Sequence, residues 1–139
     1  MANFTYFIRE RVKLNGIERG TNVEKTIEGI NYADTRVMSI PSGSLTEIIN
    51  LDSLPGAGTF VSSSVKYIRI SNLSTESINL QISGSSTEMN YLVQGNGTFM
   101  LNSEFVNETF SDFEYGDLRS IKASPVDTSA TLSYFIATT

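Results

Sequence analysis

Apolar and polar residues alternate with a period of two along most of this chain, and this alternation constrains its fold more than any other feature. Ile78, Leu80 and Ile82 alternate with polar neighbours, and the same pattern recurs at residues 98–102 and 132–136. No long window keeps the 3.6-residue period of a helix. Because successive side chains of a strand point to opposite faces, the pattern predicts half-buried β-strands.

We predict eleven strands separated by short polar turns. They span about residues 4–14, 21–28, 31–40, 44–51, 58–63, 65–72, 77–83, 89–93, 98–102, 118–123 and 130–137. Asn15-Gly16 separates the first two, which is the strongest short-range signal for a β-hairpin. The other nine suit an antiparallel β-sandwich, either jelly-roll or Ig-like. We therefore expect one all-β domain over residues 1–139, in which residues 1–25 form an extended N-terminal strand, arm or hairpin.

The residue types that are absent exclude several kinds of catalytic and metal-binding site. The chain has no Cys, no His and no Trp. A disulfide framework, a thiolate zinc site, a Ser-His-Asp triad and a histidine metal ligand are therefore all impossible. We predict a non-enzymatic protein with no catalytic residues, no cofactor and no metal site.

One acidic stretch leaves a binding role open. Residues 103–117 interrupt the alternation and are predicted to form a long loop. Its acidic side chains alternate with aromatic ones; they are Glu104, Glu108, Asp112, Glu114 and Asp117. Their spacing matches no EF-hand calcium loop. Packing of the aromatic residues onto the sandwich explains the stretch, and binding of a cation or a receptor stays open as the alternative.

Charge is distributed unevenly along the chain. The net charge is −5, which argues against nucleic-acid binding because a DNA- or RNA-binding surface needs a basic face. Residues 1–25 carry +2 and residues 26–139 carry −7. This asymmetry indicates either an arm that meets an acidic neighbour, such as another copy, or an ordinary solvated strand pair. The residues predicted to form that interface are Phe4, Tyr6, Arg9, Arg11 and Lys13.

No segment of the sequence predicts membrane insertion or export. Charged residues interrupt residues 1–13, so they do not form the apolar core of a signal peptide. No stretch approaches the roughly eighteen apolar residues of a membrane span. We therefore expect a chain that is made in a cytoplasm and has no membrane partner.

The second half of the chain resembles small all-β virion proteins of tailed bacteriophages. The similarity lies in "VKYIRISNLSTESINLQISGSS", then "YLVQGNGTFML", then "LRSIKASPVDTSATLSYFIATT", and the opening "MANFTYFIRERVKLNG" resembles the leading strand of such proteins. These motifs are structural, so the resemblance transfers no catalytic residue.

The resemblance implies a virion protein that assembles in the host cytoplasm. It implies a capsid decoration (cement) protein that binds the particle through surface and arm contacts. Its partners would be other copies of itself and other virion proteins, namely major capsid or tail proteins. A tail tube or tail-adaptor component is the close alternative, and a receptor- or glycan-binding β-sandwich module is the third.

Overall fold

A computed structural model describes residues 2–51, 65–84, 88–102 and 118–139 of the chain. Within these ranges the chain forms twelve strands and no helix. The strands are β1 (Ala2–Arg9), β2 (Val12–Leu14), β3 (Ile17–Arg19), β4 (Asn22–Ile30), β5 (Tyr32–Ile40), β6 (Thr46–Asn50), β7 (Val65–Asn72), β8 (Ile78–Ser83), β9 (Glu88–Val93), β10 (Thr98–Asn102), β11 (Ser120–Pro125) and β12 (Ala130–Thr138). The prediction of an all-β chain is confirmed.

Two four-stranded antiparallel sheets form the body. One has the strand order β10-β7-β12-β5 and is called the first sheet; the other has the order β6-β11-β8-β9 and is called the second sheet. The remaining strands pair as β1 with β4 and β2 with β3. The antiparallel sandwich predicted from the alternation is confirmed at this level of description.

A single apolar core fills the space between the two sheets. It takes alternate residues from both, as the period of two requires. Leu80 and Ile121 from the second sheet and Ile68, Leu132 and Tyr134 from the first are all less than 2 % exposed. The inward face predicted for residues 77–83 is therefore correct, and so is the face predicted for residues 132–136.

The eight strands of the body pair as a nested ribbon. β8 pairs with β9, β7 with β10, β6 with β11 and β5 with β12, all antiparallel. Alternate pairs of this ribbon lie in opposite sheets. The additional pairings of β12 with β7 and of β11 with β8 join two strand pairs into each four-stranded sheet. The two ends of the body sequence therefore lie side by side in the first sheet.

The loops at one end of the body are held together by a buried asparagine. Asn72 is 3 % exposed. Its Nδ2 donates to the carbonyl oxygens of Glu76 (2.6 Å), Val93 (3.3 Å) and Gln94 (3.2 Å). Its Oδ1 accepts from the amide (3.1 Å) and hydroxyl (2.8 Å) of Ser74. One side chain thus fixes both the β7–β8 and the β9–β10 turns, which offsets the cost of burying a polar group.

The predicted strand boundaries agree with the structure to within a few residues in most of the described chain. One predicted strand is divided, since residues 4–14 form β1 and β2, and the strand predicted at 21–28 corresponds to β4. The short strand β3 was not predicted. The strand predicted at 58–63 and the loop predicted at 103–117 lie outside the described residues.

Candidate interaction surface

A tight turn closes the N-terminal hairpin, which comprises residues 2–30. Asn15 and Gly16 have φ angles of +52° and +78°. Positive φ at both central residues defines a type I′ turn, whose twist matches that of the flanking strands. Leu14 pairs with Ile17 directly across the turn. The hairpin predicted from Asn15-Gly16 is confirmed.

The two strand pairs of this segment form one hairpin in a single register. The β1–β4 ladder ends at Arg9↔Asn22 and the β2–β3 ladder begins at Val12↔Arg19, with two residues between them on each side. The amide of Glu10 donates to the carbonyl of Thr21 across that gap (2.9 Å). Gly20 lies in this gap; its φ of +140° strongly favours glycine, and a Cβ there would collide with the Glu10 carbonyl.

The register gives the hairpin two chemically different faces, because residues that pair across two strands point to the same side. One face is mainly apolar and comprises Phe4, Tyr6, Ile8, Val12 and Leu14 with Ile17, Val23 and Ile27; its polar members are Glu10, Arg19, Thr21 and Lys25. The other is mainly polar and comprises Thr5, Phe7, Arg9, Arg11 and Lys13 with Glu18, Glu24 and Thr26. Arg11 forms an ion pair with Glu18 on the polar face, and both side chains are more than half exposed.

The base of the apolar face packs on the outer surface of the first sheet. The Phe4 ring lies 4.8 Å from Tyr67 of β7 and 5.0 Å from Phe135 of β12, between ring centroids. Tyr6 lies 5.1 Å from Tyr67. Ile27 and the neighbouring Ile30, at 3 % and 6 % exposed, complete this second apolar cluster. The hairpin is therefore a third layer, attached at its base.

The contacts of the base also fix the direction of the hairpin. Phe4 reaches β12 and β7, whereas the next residue on the same face, Tyr6, contacts β7 and accepts a hydrogen bond from Asn102 of β10. The hairpin thus crosses β12, β7 and β10 in turn. Since β10 is the edge strand of that sheet, the residues beyond Tyr6 extend past the sheet edge.

Two polar side chains, Tyr67 and Arg69, lie beneath the base of the hairpin. Desolvation raises the pKa of the Tyr67 hydroxyl, with the positive charge of Arg69 acting in the opposite direction. Arg69 lines a cavity of about 230 Å³ with Phe4, Tyr67 and Phe135. Its Nε is buried and has no hydrogen-bond partner within the described parts of the chain.

Beyond its base, the apolar face of the hairpin is exposed. The exposed fractions are 40 % for Ile8, 55 % for Val12, 55 % for Leu14, 58 % for Ile17 and 37 % for Val23. These five residues are called the tip face. Exposed apolar side chains that lie together in this way make the tip face a candidate interaction surface.

The five residues predicted as an interface occupy different places. Phe4 and Tyr6 are half-buried on the chain's own first sheet, so their apolar surface is used largely within the molecule. Arg9, Arg11 and Lys13 are exposed on the opposite face of the hairpin. The structure thus brings the two aromatic residues together and separates them from the three basic ones. The hairpin also continues to Ile30, beyond the predicted limit of residue 25.

The tip face was not predicted from the sequence. The signal was present: Ile8, Val12 and Leu14 continue the alternation that Phe4 and Tyr6 begin, and the register of the Asn15-Gly16 turn places Ile17 and Val23 beside them. The alternation does not indicate which residues of the hairpin are covered by the body and which are exposed.

Two further features were sought in the described residues, a metal site and a membrane-spanning helix. In residues 2–51, 65–84, 88–102 and 118–139, no group of three acidic side chains is arranged to hold a metal ion. No helix in these residues is long and apolar enough to cross a membrane. The acidic residues predicted as a possible cation or receptor site at 103–117 lie outside the described ranges.

No protein-family model matches the sequence, and no curated protein matches it.

Proposed function

We propose that this chain is a non-enzymatic structural protein of a tailed-bacteriophage virion, and specifically a capsid decoration protein. The observation that carries the proposal is the hairpin, which is anchored on the body at its base and extends past the sheet edge with an exposed apolar tip face. A surface of this kind binds by shape and apolar contact with a neighbouring subunit. The motifs of residues 65–139 that resemble phage virion proteins support the same role.

We further propose that the body is a jelly roll rather than an Ig-like sandwich. The support is the nested pairing of its eight strands: first with eighth, second with seventh, third with sixth and fourth with fifth. Jelly rolls contain eight strands in two sheets, whereas Ig folds place consecutive strands A and B side by side. Here the first two strands of the body, β5 and β6, lie in different sheets. Viral capsid proteins commonly use the jelly roll, and so do lectins.

The outer face of the second sheet differs from the tip face because it is polar. Its outward residues are mostly polar; they are Glu47, Asn50, Asn79, Gln81, Ser83, Glu88, Asn90, Leu92, Ser120, Lys122 and Ser124. Gln81 donates to Glu88 (2.9 Å) and Asn50 donates to Glu47 (2.9 Å), so polar groups are partnered within the surface. We assign this face to solvent and the tip face to a contact with a neighbouring subunit of the particle.

The test is binding to purified virion parts. The chain is mixed with empty heads and, separately, with tails from a phage particle that lacks it, and binding is followed by co-sedimentation. Leu14→Asp changes the tip face, and Leu92→Asp is the matched control, because the two leucines are 55 % and 57 % exposed. We expect binding to heads that Leu14→Asp abolishes and Leu92→Asp preserves.

The other outcomes exclude the proposal or part of it. Binding to tails alone would replace the capsid role by the tail tube or tail-adaptor role. Binding to neither heads nor tails would overturn the virion proposal and favour the glycan-binding module, which a glycan array would then examine. Equal loss of head binding in Leu14→Asp and Leu92→Asp would show that the hairpin is not the specific binding surface.

A further inference from the structure

The tip face and the polar side chains between its members form four cross-strand levels along the hairpin. The order of apolar and charged levels is the same from base to tip as from tip to base. From base to tip its cross-strand levels are Ile8/Val23, Glu10/Thr21, Val12/Arg19 and Leu14/Ile17. The outer two levels are entirely apolar. The inner two each hold one charged side chain, of opposite sign.

We propose that the tip face is a self-association surface that packs on the tip face of a second copy around a two-fold axis. This inference rests on the proposed role as an assembling structural protein and names the neighbouring subunit: the tip face contacts a second copy of the chain, and the paired copies bind the head together. A two-fold contact joins a surface patch to itself, so that patch must be complementary to its own image. A face whose apolar and charged levels are arranged symmetrically about its midpoint satisfies that condition.

The axis that fits the pattern passes between the Glu10/Thr21 and Val12/Arg19 levels. With the two hairpins antiparallel, the Ile8/Val23 level of one copy meets the Leu14/Ile17 level of the other. The Glu10 level of each copy then meets the Arg19 level of its partner. Two-fold symmetry makes each contact occur twice. Opposite charges therefore meet at the centre of the contact, where like charges would prevent association.

The size of the tip face agrees with a contact between two copies. The exposed fractions of its five apolar residues correspond to roughly 400 Å² of apolar surface, which is the size of the largest apolar patch on a typical monomer, and such a patch often has a function. Protein interfaces are a little over half apolar, so this patch implies about 700 Å² buried on each copy, close to the ~800 Å² of a standard interface. In the described parts of the chain, no element covers these residues.

The same arrangement leaves the polar face of each hairpin outside the contact. Arg9, Arg11 and Lys13 point away from the two-fold partner and remain exposed. Positions on that face therefore supply controls of matched charge. Glu24 and Lys13 are the residues we choose, because Glu18 is already paired with Arg11.

The test is sedimentation velocity of the purified chain over a range of concentrations, with no virion parts present. We expect a reversible dimer. E10R and R19E should each weaken dimerisation by on the order of tenfold or more, because each places two pairs of like charges at the contact. An equimolar mixture of E10R and R19E should restore dimers, since every central contact between unlike copies is then of opposite charge.

The control pair distinguishes a specific contact from general attraction. E24R and K13E change the net charge by the same amounts as E10R and R19E, but on the polar face. We expect both to dimerise as the unmodified chain does, alone or mixed. Circular dichroism is used to check that all four variants fold.

Three results would overturn the inference: a monomer at every concentration, a mixture of E10R and R19E that dimerises no better than either variant alone, or open polymers in place of dimers. Its failure is separable from that of the proposed function. A monomer that still binds heads would overturn only the self-association surface. A dimer that binds neither heads nor tails would support that surface and overturn the virion role.

Discussion

Replacing Phe4 by alanine tests how firmly the hairpin is attached to the body. The Phe4 ring contacts Tyr67 and Phe135, with centroids 4.8 and 5.0 Å away, and the side chain is half-buried. A phenylalanine buries at most 150–250 Å², so truncation returns on the order of 100 Å² to water, or about 2–2.5 kcal/mol at ~25 cal/mol per Å². The site opens to solvent, so no large enclosed cavity adds to this cost.

Phe7 supplies the matched control on the same strand. It lies on the opposite face of β1 and is 70 % exposed. Phe7→Ala should therefore change the free energy of unfolding by less than about 0.5 kcal/mol. The assay is urea unfolding followed by circular dichroism, together with the rate at which trypsin cleaves the hairpin after Arg9 and Arg11.

The two measurements separate attachment from folding. If the hairpin unfolds together with the body, Phe4→Ala lowers the free energy of unfolding by the full amount. If the hairpin detaches by itself, trypsin cleavage accelerates at least tenfold while the urea midpoint changes little. Equal effects of Phe4→Ala and Phe7→Ala in both assays would refute the proposed docking of the apolar face.

Three further predictions concern the body. Leu80→Ala should cost about 2–5 kcal/mol in urea unfolding because Leu80 is fully buried, whereas Leu92→Ala, on the outward face of the same sheet, should cost less than ~0.5 kcal/mol; similar costs would mean that the strand faces are inverted. Asn72→Ala should cost about 3 kcal/mol because three carbonyls lose their donor, and a loss below ~1 kcal/mol would show that water replaces the side chain. Burial and the nearby Asp34 carboxylate raise the pKa of Tyr134 to about 12, above the 10.0 of an unperturbed tyrosine. The contribution of Tyr134 to the free energy of unfolding should therefore be fully present below pH 10 and decrease as the pH rises towards about 12. Tyr134→Phe should make that decrease shallower, and an unchanged alkaline profile would contradict the assignment.

The interface prediction shows where sequence reasoning reached its limit. Phe4, Tyr6 and Leu14 occupy one face of the hairpin, and nothing local distinguishes them: each is an apolar residue at an alternate position. Yet Phe4 and Tyr6 are half-buried and Leu14 is 55 % exposed. The difference depends on where β7 and β12 place Tyr67 and Phe135, far along the chain from the hairpin.

Asn72 illustrates the same limit in the body. As a polar residue at the end of a strand it resembles any turn asparagine, and its sequence neighbourhood accounts for its contacts with Ser74 and Glu76. Its bonds to the Val93 and Gln94 carbonyls exist only because β9 and β10 return to the same end of the body. A side chain can satisfy distant backbone groups only after the fold has brought them together.

The sequence by itself determined most of the described strands, the inward faces of strands such as β8 and β12, and the hairpin turn at Asn15-Gly16. These features follow from local physics: alternate side chains point to opposite faces, and two residues with positive φ reverse a chain with the twist that paired strands require. Tertiary structure alone decided the nested order of the strands and the length of hairpin that the body covers. Both depend on contacts between residues far apart in the chain, which alternation does not encode.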